Sequence, residues 1–281
     1  MIAILGGLGA AVMWATSTLS TSRSSKLVPP ASVLACVMLV GTVITAPIAL
    51  ASGAPEGLGD QLGWLAVSGL ANLSGLFLAY TSLRTGKVGV VAPITSAQGG
   101  FAAIIAVIAG ERIAAGSGVM LGVIAVGVAL ASLSRTAQQA PVEHELRGAV
   151  FAAAAAVLFG LGLYAAGRLS SELPVAWILF VPRSLGVLVV TVPMALAGRI
   201  RMTRRALPFV LLSGACEIVG LASFTLGARD GIAVAAIIGS QFAALAAVIA
   251  YFMFGERLRR VQIAGVVAIL VGVAVLTGLQ A

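Results

Sequence analysis

Long apolar runs, separated by short polar connections, dominate the chain. A bilayer core about 30 Å thick needs roughly 20 apolar residues of helix, and about ten runs of that length are bounded by charged or turn residues. The predicted spans are Ile2–Ser22, Pro30–Ala51, Gln61–Leu83, Val88–Gly110, Ile113–Ser134, Gly148–Gly167, Leu173–Gly198, Ala206–Ala228, Gly231–Gly255 and Val261–Ala281. The pattern predicts an all-α integral membrane protein of about ten transmembrane helices.

Composition supports a lipid environment. Asp, Glu, Lys and Arg make up only 9% of the chain, against about 25% in an ordinary soluble domain. The 34 glycines are typical of membrane helices, where small residues let backbones approach. We therefore expect a multi-pass protein of the plasma membrane, with the lipid bilayer as its first partner.

The net charge of +8 reports orientation in the membrane, because the basic residues lie almost entirely in short connections. We therefore expect no nucleic-acid partner. The connections after odd-numbered spans hold 13 Lys and Arg, and the other connections and termini hold 3. The positive-inside rule then predicts that both termini lie outside the cytoplasm.

The chain contains an internal duplication. One connection, residues 135–147, is both long and strongly polar, and it lies near the middle of the chain. A constant shift of 145 residues aligns landmarks on either side of it. The matches are Gly110-Glu111-Arg112 with Gly255-Glu256-Arg257, Ser68-Gly69 with Ser213-Gly214, Gly75-Leu76 with Gly220-Leu221, residues 126–129 with 271–274, Arg23 with Arg168, Pro29 with Pro174 and Gly86 with Gly231. We predict a first five-helix repeat at 1–135, a polar linker at 136–147 and a second repeat at 148–281.

Each predicted repeat holds an odd number of spans, so the second repeat must cross the membrane in the opposite sense to the first. Inverted repeats of this kind place a substrate site near the bilayer midplane, where the two copies face each other. Rocking one copy against the other then opens that site to alternate sides of the membrane.

Several residues resemble the EamA domain of the drug/metabolite transporter superfamily. Glu111 and Glu256 each lie in a Gly-Glu-Arg triplet at the end of the fourth helix of a repeat, and a glycine-rich fifth helix follows. Trp14 and the prolines Pro29 and Pro174 also fit that pattern. The resemblance occurs once in each repeat and so extends over the whole chain. It implies ten helices, an inverted repeat, and export or exchange of small metabolites, amino acids or drugs. It also implies cytoplasmic termini, which conflicts with the count of basic residues; we follow that count because it concerns this chain directly.

Arg183 and Glu217 are the two charged residues that lie well inside apolar spans. A charge at the bilayer centre costs about 2.5 kcal/mol or more, so intramembrane charges mark candidate functional sites. At about 1.5 Å per residue, Arg183 lies ~15 Å and Glu217 ~16 Å from helix ends on the same membrane side. The two side chains are thus at nearly the same depth. Glu217 is either a proton-coupling carboxylate or counter-charge for a cation, or one half of a structural ion pair; Arg183 binds an anion or serves structure.

Other polar residues occupy helix faces at the same depth. Asn72 is the repeat equivalent of Glu217, and Trp14 and Ser17 share one face of the first helix. Gln98 and Gln241 lie on the fourth and ninth helices. We predict that these residues line a substrate or coupling site together with Glu217 and Arg183. Hydrogen bonding between helices is the structural alternative.

The sequence predicts a secondary active transporter, an exporter or exchanger of a small metabolite, amino acid or drug-like solute. It would work by alternating access, with protons as the candidate coupling ion. The alternatives are a membrane-embedded scaffold and a channel-like carrier without ion coupling. The spans hold no clustered nucleophile, base or metal ligands, so we expect no enzyme, metal or cofactor. The expected assembly is a monomer or a homodimer.

Overall fold

The computed structural model describes residues 1–85, 88–112 and 142–246, with isolated positions among residues 118–126 and 249–271. All regular secondary structure in this part of the chain is helical. The α-helices are α1 (Ile2–Leu27), α2 (Pro30–Ala51), α3 (Leu62–Thr85), α4 (Val88–Ser96), α5 (Gln98–Ile108), α6 (Val142–Leu169), α7 (Val175–Gly186), α8 (Val192–Leu196), α9 (Leu207–Ala228) and α10 (Ile232–Gly239). A π-helical turn, Val187–Thr191, joins α7 to α8, and residues 242–246 are again helical.

Within the described ranges, six helices are long and apolar enough to cross a membrane. They are Ile2–Leu27, Pro30–Ala51, Leu62–Arg84, Arg147–Leu169, Val175–Leu196 and Leu207–Ala228. The fourth and ninth predicted spans are shorter apolar helices, Ile94–Ile108 and Ile232–Ala246. The fifth and tenth predicted spans fall largely outside the described residues, as do residues 136–141 of the polar linker, and α6 begins inside that linker at Val142. The total of ten spans therefore stays a prediction.

Local sequence explains where several helices begin and break. α2 and α7 begin directly after Pro29 and Pro174, whose fixed φ angles and missing N–H groups suit the residue before a helix. The fourth predicted span contains a turn at Ala97, just before Gly99 and Gly100, and the ninth contains one after Gly239. Glycine weakens a helix by about 1 kcal/mol relative to alanine, so both breaks fall beside weak points.

Helices at equivalent positions of the two repeats run antiparallel to each other. α2 packs on α7 with Ala35 beside Thr191 and Ser52 beside Trp177, so the contact moves backwards along one helix as it moves forwards along the other. The fourth and ninth predicted spans behave in the same way, through α5 in the second half of one and α10 in the first half of the other. Gly99 lies against Ala236 and Ser240 near one end of the pair, and Glu111 beside Ala233 at the other.

The remaining large contacts form equivalent pairs. α1 packs antiparallel on α9, and α6 packs antiparallel on α3. Equivalent glycines show that these two interfaces correspond. A Cβ atom at Gly220 would meet the ring of Trp14 on α1, and one at Gly75 would meet the ring of Phe159 on α6. Gly75 and Phe159 stand 145 residues away from Gly220 and Trp14, so the two interfaces repeat the same contact.

Candidate functional site

A cavity lies between the helices near the middle of their length. Six of the seven residues predicted for the site line it: Trp14, Ser17, Asn72, Gln98, Arg183 and Glu217. The lining continues along α3 to Leu83 and along α1 to Thr21. The cavity therefore reaches from mid-depth toward the end of the bundle where α3 stops and α4 begins.

Gln241 is the predicted site residue that does not line this cavity. It lies in the turn after α10 and is buried, and Phe242, the next residue, faces the cavity in its place. The Nε2 group of Gln241 has no hydrogen-bond partner in the described part of the chain. The turn after Gly239 interrupts the helix at this point, whereas the sequence predicted one continuous ninth span.

Arg183 and Glu217 form an ion pair in the wall of the cavity. The Arg183 Nη2 and Glu217 Oε2 atoms are 3.8 Å apart, with side-chain exposures of 2% and 13%. α7 and α9 thus present the two charged side chains to each other, as their equal depth allows. The π-helical turn begins four residues after Arg183, and such irregular turns often occur at functional sites.

The guanidinium of Arg183 has few partners. Its Nη1 group contacts the sulfur of Met38 at 3.7 Å, and its Nη2 group makes no hydrogen bond within the described residues. Gly41 leaves room for the side chain, because a Cβ atom there would lie 2.9 Å from Arg183 Cδ. Met38 is the repeat equivalent of Arg183, so the second repeat places a cation where the first has a thioether.

A chain of hydroxyl groups leads to Glu217. Ser17 donates a hydrogen bond to Glu217 Oε1 over 2.9 Å. Ser213 lies 3.0 Å from Ser17 and 2.7 Å from Thr21. Because Ser17 uses its proton on Glu217, the donation runs from Thr21 to Ser213, then to Ser17 and the carboxylate. Polar side chains of α1 and α9 therefore hydrogen-bond to each other beside the cavity.

Aromatic side chains complete the walls. The ring of Trp14 lies 6.2 Å from that of Phe224 and 6.5 Å, edge to face, from that of Phe242. Tyr80 is buried close to both charges of the ion pair, and its hydroxyl lies near those of Ser213 and Thr21 without hydrogen-bond geometry to any described residue. Neither Tyr80 nor Phe159 was predicted for the site. Tyr80 lies two helical turns after Asn72, so extending the polar face of α3 would have found it.

The opposite end of the bundle is closed by tight packing and by Glu111. A Cβ atom at Gly6 would lie 2.5 Å from the Ser223 carbonyl oxygen, so α1 and α9 meet there backbone to backbone. Glu111 Oε1 accepts a hydrogen bond of 3.2 Å from the backbone N–H of Ala233 at the start of α10. Burial raises the pKa of the Glu111 carboxyl. This contact ties one repeat to the other and gives Glu111 a structural role.

Fold and cavity together define a multi-pass helical membrane protein with an internal polar site between two similar helix bundles. The pattern of the EamA-like transporter family matches residues 1–133 and again residues 146–278. The two matches begin 145 residues apart, in agreement with the shift seen in the sequence. The chain belongs to the EamA-like transporter family.

Solved structures share the fold. In all, 27 chains of solved structures match this protein. One of them, described as "Crystal structure of protein", is 18% identical and has a TM-score of 0.73 over 99% of this chain and 96% of that chain. At this identity the likeness shows the fold alone. No curated protein matches the sequence.

Proposed function

We propose that this chain is a secondary active transporter, an exporter or exchanger of a small metabolite, amino acid or drug-like solute. The observation that carries the proposal is the Arg183–Glu217 pair in the wall of a cavity between two copies of one bundle. A scaffold protein has no need for two charges near the bilayer midplane, where each costs about 2.5 kcal/mol or more.

Alternating access follows from the relation of the two copies. Equivalent spans run antiparallel in α2 with α7 and in the fourth span with the ninth, where α5 packs on α10, as an inverted repeat requires. In such an arrangement the two copies can exchange conformations, which opens the central site to the other side of the membrane. The proposal includes ten membrane spans, divided between repeats at 1–135 and 148–281, and location in the plasma membrane.

The cavity has a volume of about 70 Å³, whereas pockets for drug-sized ligands have roughly 300–1,000 Å³. Its lining helices must therefore separate to admit a metabolite. Such separation is expected of helices that rock during transport.

Proton coupling at Glu217 is the second part of the proposal. The carboxylate is buried beside the cavity, and the hydroxyl chain from Thr21 through Ser213 and Ser17 ends on it. The Arg183 charge opposes protonation of Glu217, so a carrier without ion coupling is the alternative that the experiment must separate.

The test uses purified protein in liposomes that enclose a pH-sensitive dye. Amino acids, amines, monocarboxylates and nucleotide sugars are first screened by thermal shift, since a ligand that binds the folded state raises apparent stability. Solutes that bind are then tested for flux with and without a pH gradient. We expect flux of at least one solute that follows the gradient.

Glu217→Gln should uncouple this flux from the gradient or abolish it, and Glu172→Gln, which alters an exposed carboxylate, should leave it unchanged. If solute flux through the wild type does not depend on the pH gradient, proton coupling is excluded and the protein is a carrier without ion coupling. A complete absence of solute flux would overturn the transporter proposal.

A further inference from the structure

The donors and acceptors around the cavity are unbalanced. A guanidinium carries five N–H donors, but Arg183 makes one sulfur contact and one ion pair at 3.8 Å. That separation exceeds the 2.7–2.9 Å typical of a charge-assisted hydrogen bond. An unsatisfied buried donor is costly, so Arg183 is left with N–H groups that an incoming acceptor would satisfy.

Charged acceptors are scarce among the described lining residues, where Asn72, Gln98 and several hydroxyls add only neutral oxygen atoms. Glu217 supplies the single carboxylate there, and one of its oxygens already accepts a hydrogen bond from Ser17. The Tyr80 hydroxyl is a further buried polar group, close to Ser213 and Thr21 but without hydrogen-bond geometry to any described residue. A cation would have to compete with Arg183 for Glu217, whereas an anion would meet donors that are free.

Arg183 favours one kind of anion. The planar guanidinium binds a planar carboxylate through two parallel hydrogen bonds. One arginine neutralises one negative charge, which suits a monocarboxylate better than a phosphate dianion. The cavity of about 70 Å³ is also smaller than the ~150 Å³ cavity that holds benzene in another protein, so the first probes should be small.

Charge balance then brings in the proton. With Arg183 and Glu217 both ionised, the site is neutral, and a bound carboxylate would leave a net charge of minus one in a low-dielectric environment. A proton on Glu217 restores neutrality and releases Arg183. The titratable or charged groups that face Glu217 are Arg183 on α7, Tyr80 on α3 and the adjacent Cys216 on α9. α1 contributes the hydroxyl of Ser17.

We propose that the cavity binds a small solute with one carboxylate, which replaces Glu217 on Arg183 while Glu217 takes up one proton from solvent. This proposal rests on the transporter function and names its substrate class. The solute and the proton enter together, so transport is electroneutral. Arg183 is the anion-binding residue, and Glu217 is its counter-ion in the empty site.

The binding test compares small carboxylates with neutral molecules of the same shape. Propionate and lactate are added to detergent-solubilised protein, with propionamide, lactamide and sodium chloride of equal ionic strength as controls. Each carboxylate should raise the melting temperature by about 3 °C at tenfold its Kd. The rise should be larger at pH 6 than at pH 8, because a proton on Glu217 frees Arg183.

Variants assign the effect to the pair. Glu217→Gln should keep carboxylate binding and lose its dependence on pH. Arg183→Gln should lose binding, and Arg183→Gln with Glu217→Gln should also lose it; the double variant removes both charges and so guards against failure to fold. Arg204→Gln, at an exposed arginine, should behave like the wild type.

Three results would overturn the substrate class: amides that stabilise as well as carboxylates, carboxylate binding that survives in the double variant, or no stabilisation of the wild type. If liposomes still transport another solute, the substrate class fails and the transporter function stands. If lactate binds through Arg183 but liposomes show no flux of any solute, the anion site stands and transport fails.

Discussion

The described parts of the two repeats share a packing contact but differ in their charges. Gly75 meets Phe159 in one interface, and Gly220 meets Trp14 in the other, at matched positions. Yet the first repeat has Asn72 and Met38 where the second has Glu217 and Arg183.

This difference separates two kinds of constraint. Packing of helices in lipid depends on close contact of small residues, and both repeats satisfy it in the same way. The ion pair occurs in one repeat, so packing the duplicated fold does not require it. Arg183 even contacts Met38, its own equivalent, across the centre of the molecule. We infer that the duplicated contacts serve the fold and that the unmatched charges serve the site.

The largest effect should come from breaking the pair from one side. Arg183→Gln leaves Glu217 with no cation, and removal of one partner of a buried ion pair costs about 3 kcal/mol. Unfolding in detergent at pH 8 should show this loss. Adding Glu217→Gln to the same chain should recover most of it.

Met38→Leu is the matched change in the first repeat. It conserves volume, so it should cost less than about 1.5 kcal/mol. Equal losses in Arg183→Gln and Met38→Leu would show that position, and not charge, determines the effect.

An intermediate effect is expected at the duplicated glycines. In Gly220→Ala the new Cβ would lie 2.7 Å from Trp14 Nε1, and in Gly75→Ala it would lie 2.8 Å from Phe159 Cδ1. Overpacking of this kind costs about 1–3 kcal/mol, and the two variants should lose similar stability in thermal unfolding.

Gly63→Ala provides the control for these two changes. A Cβ atom at Gly63 on α3 has no neighbour within 4 Å, and alanine favours a helix by up to about 1 kcal/mol. This variant should be as stable as the wild type or more so. A clear difference between Gly75→Ala and Gly220→Ala would show that the repeats are not packed alike.

The smallest effect should distinguish the matched serines. Ser213 links Ser17 to Thr21 at 3.0 and 2.7 Å, whereas Ser68 reaches the Gly162 carbonyl over 3.4 Å. Ser213→Ala should cost about 1 kcal/mol, and Ser68→Ala less than about 0.5 kcal/mol. The same pair can be measured in the liposome assay, where Ser213→Ala alone should slow proton uptake. Equal proton rates would remove the hydroxyl chain from the mechanism.

Sequence reasoning predicted the membrane class and most of the helices in the described chain. It also predicted the duplication, since a constant shift survives in the letters themselves. It overran or missed the helix ends by a few residues: α1 continues to Leu27, and the fourth span is divided at Ala97. Helix ends depend on capping and tertiary contacts more than on hydropathy.

The depth of the two charged residues and the relative direction of the two repeats also followed from the sequence. Both depend only on the helical rise per residue and the number of spans, and not on which helices are neighbours. These two quantities put Arg183 and Glu217 at one level and predicted antiparallel copies. The rotation of each helix about its axis did not follow. In lipid the outer surface is as apolar as the core, so hydrophobic periodicity says little about which face turns inward.

By itself, the sequence determined the environment of this protein, the twofold repetition of its bundle and the level of its two buried charges. Tertiary structure decided which side chains meet. Packing brought Tyr80 and Phe242 into the cavity wall, left Gln241 beside it, and aimed a poorly satisfied Arg183 at the space between the copies. The reason is geometric: contact between helices depends on their relative rotation, which arises only when all of them pack together.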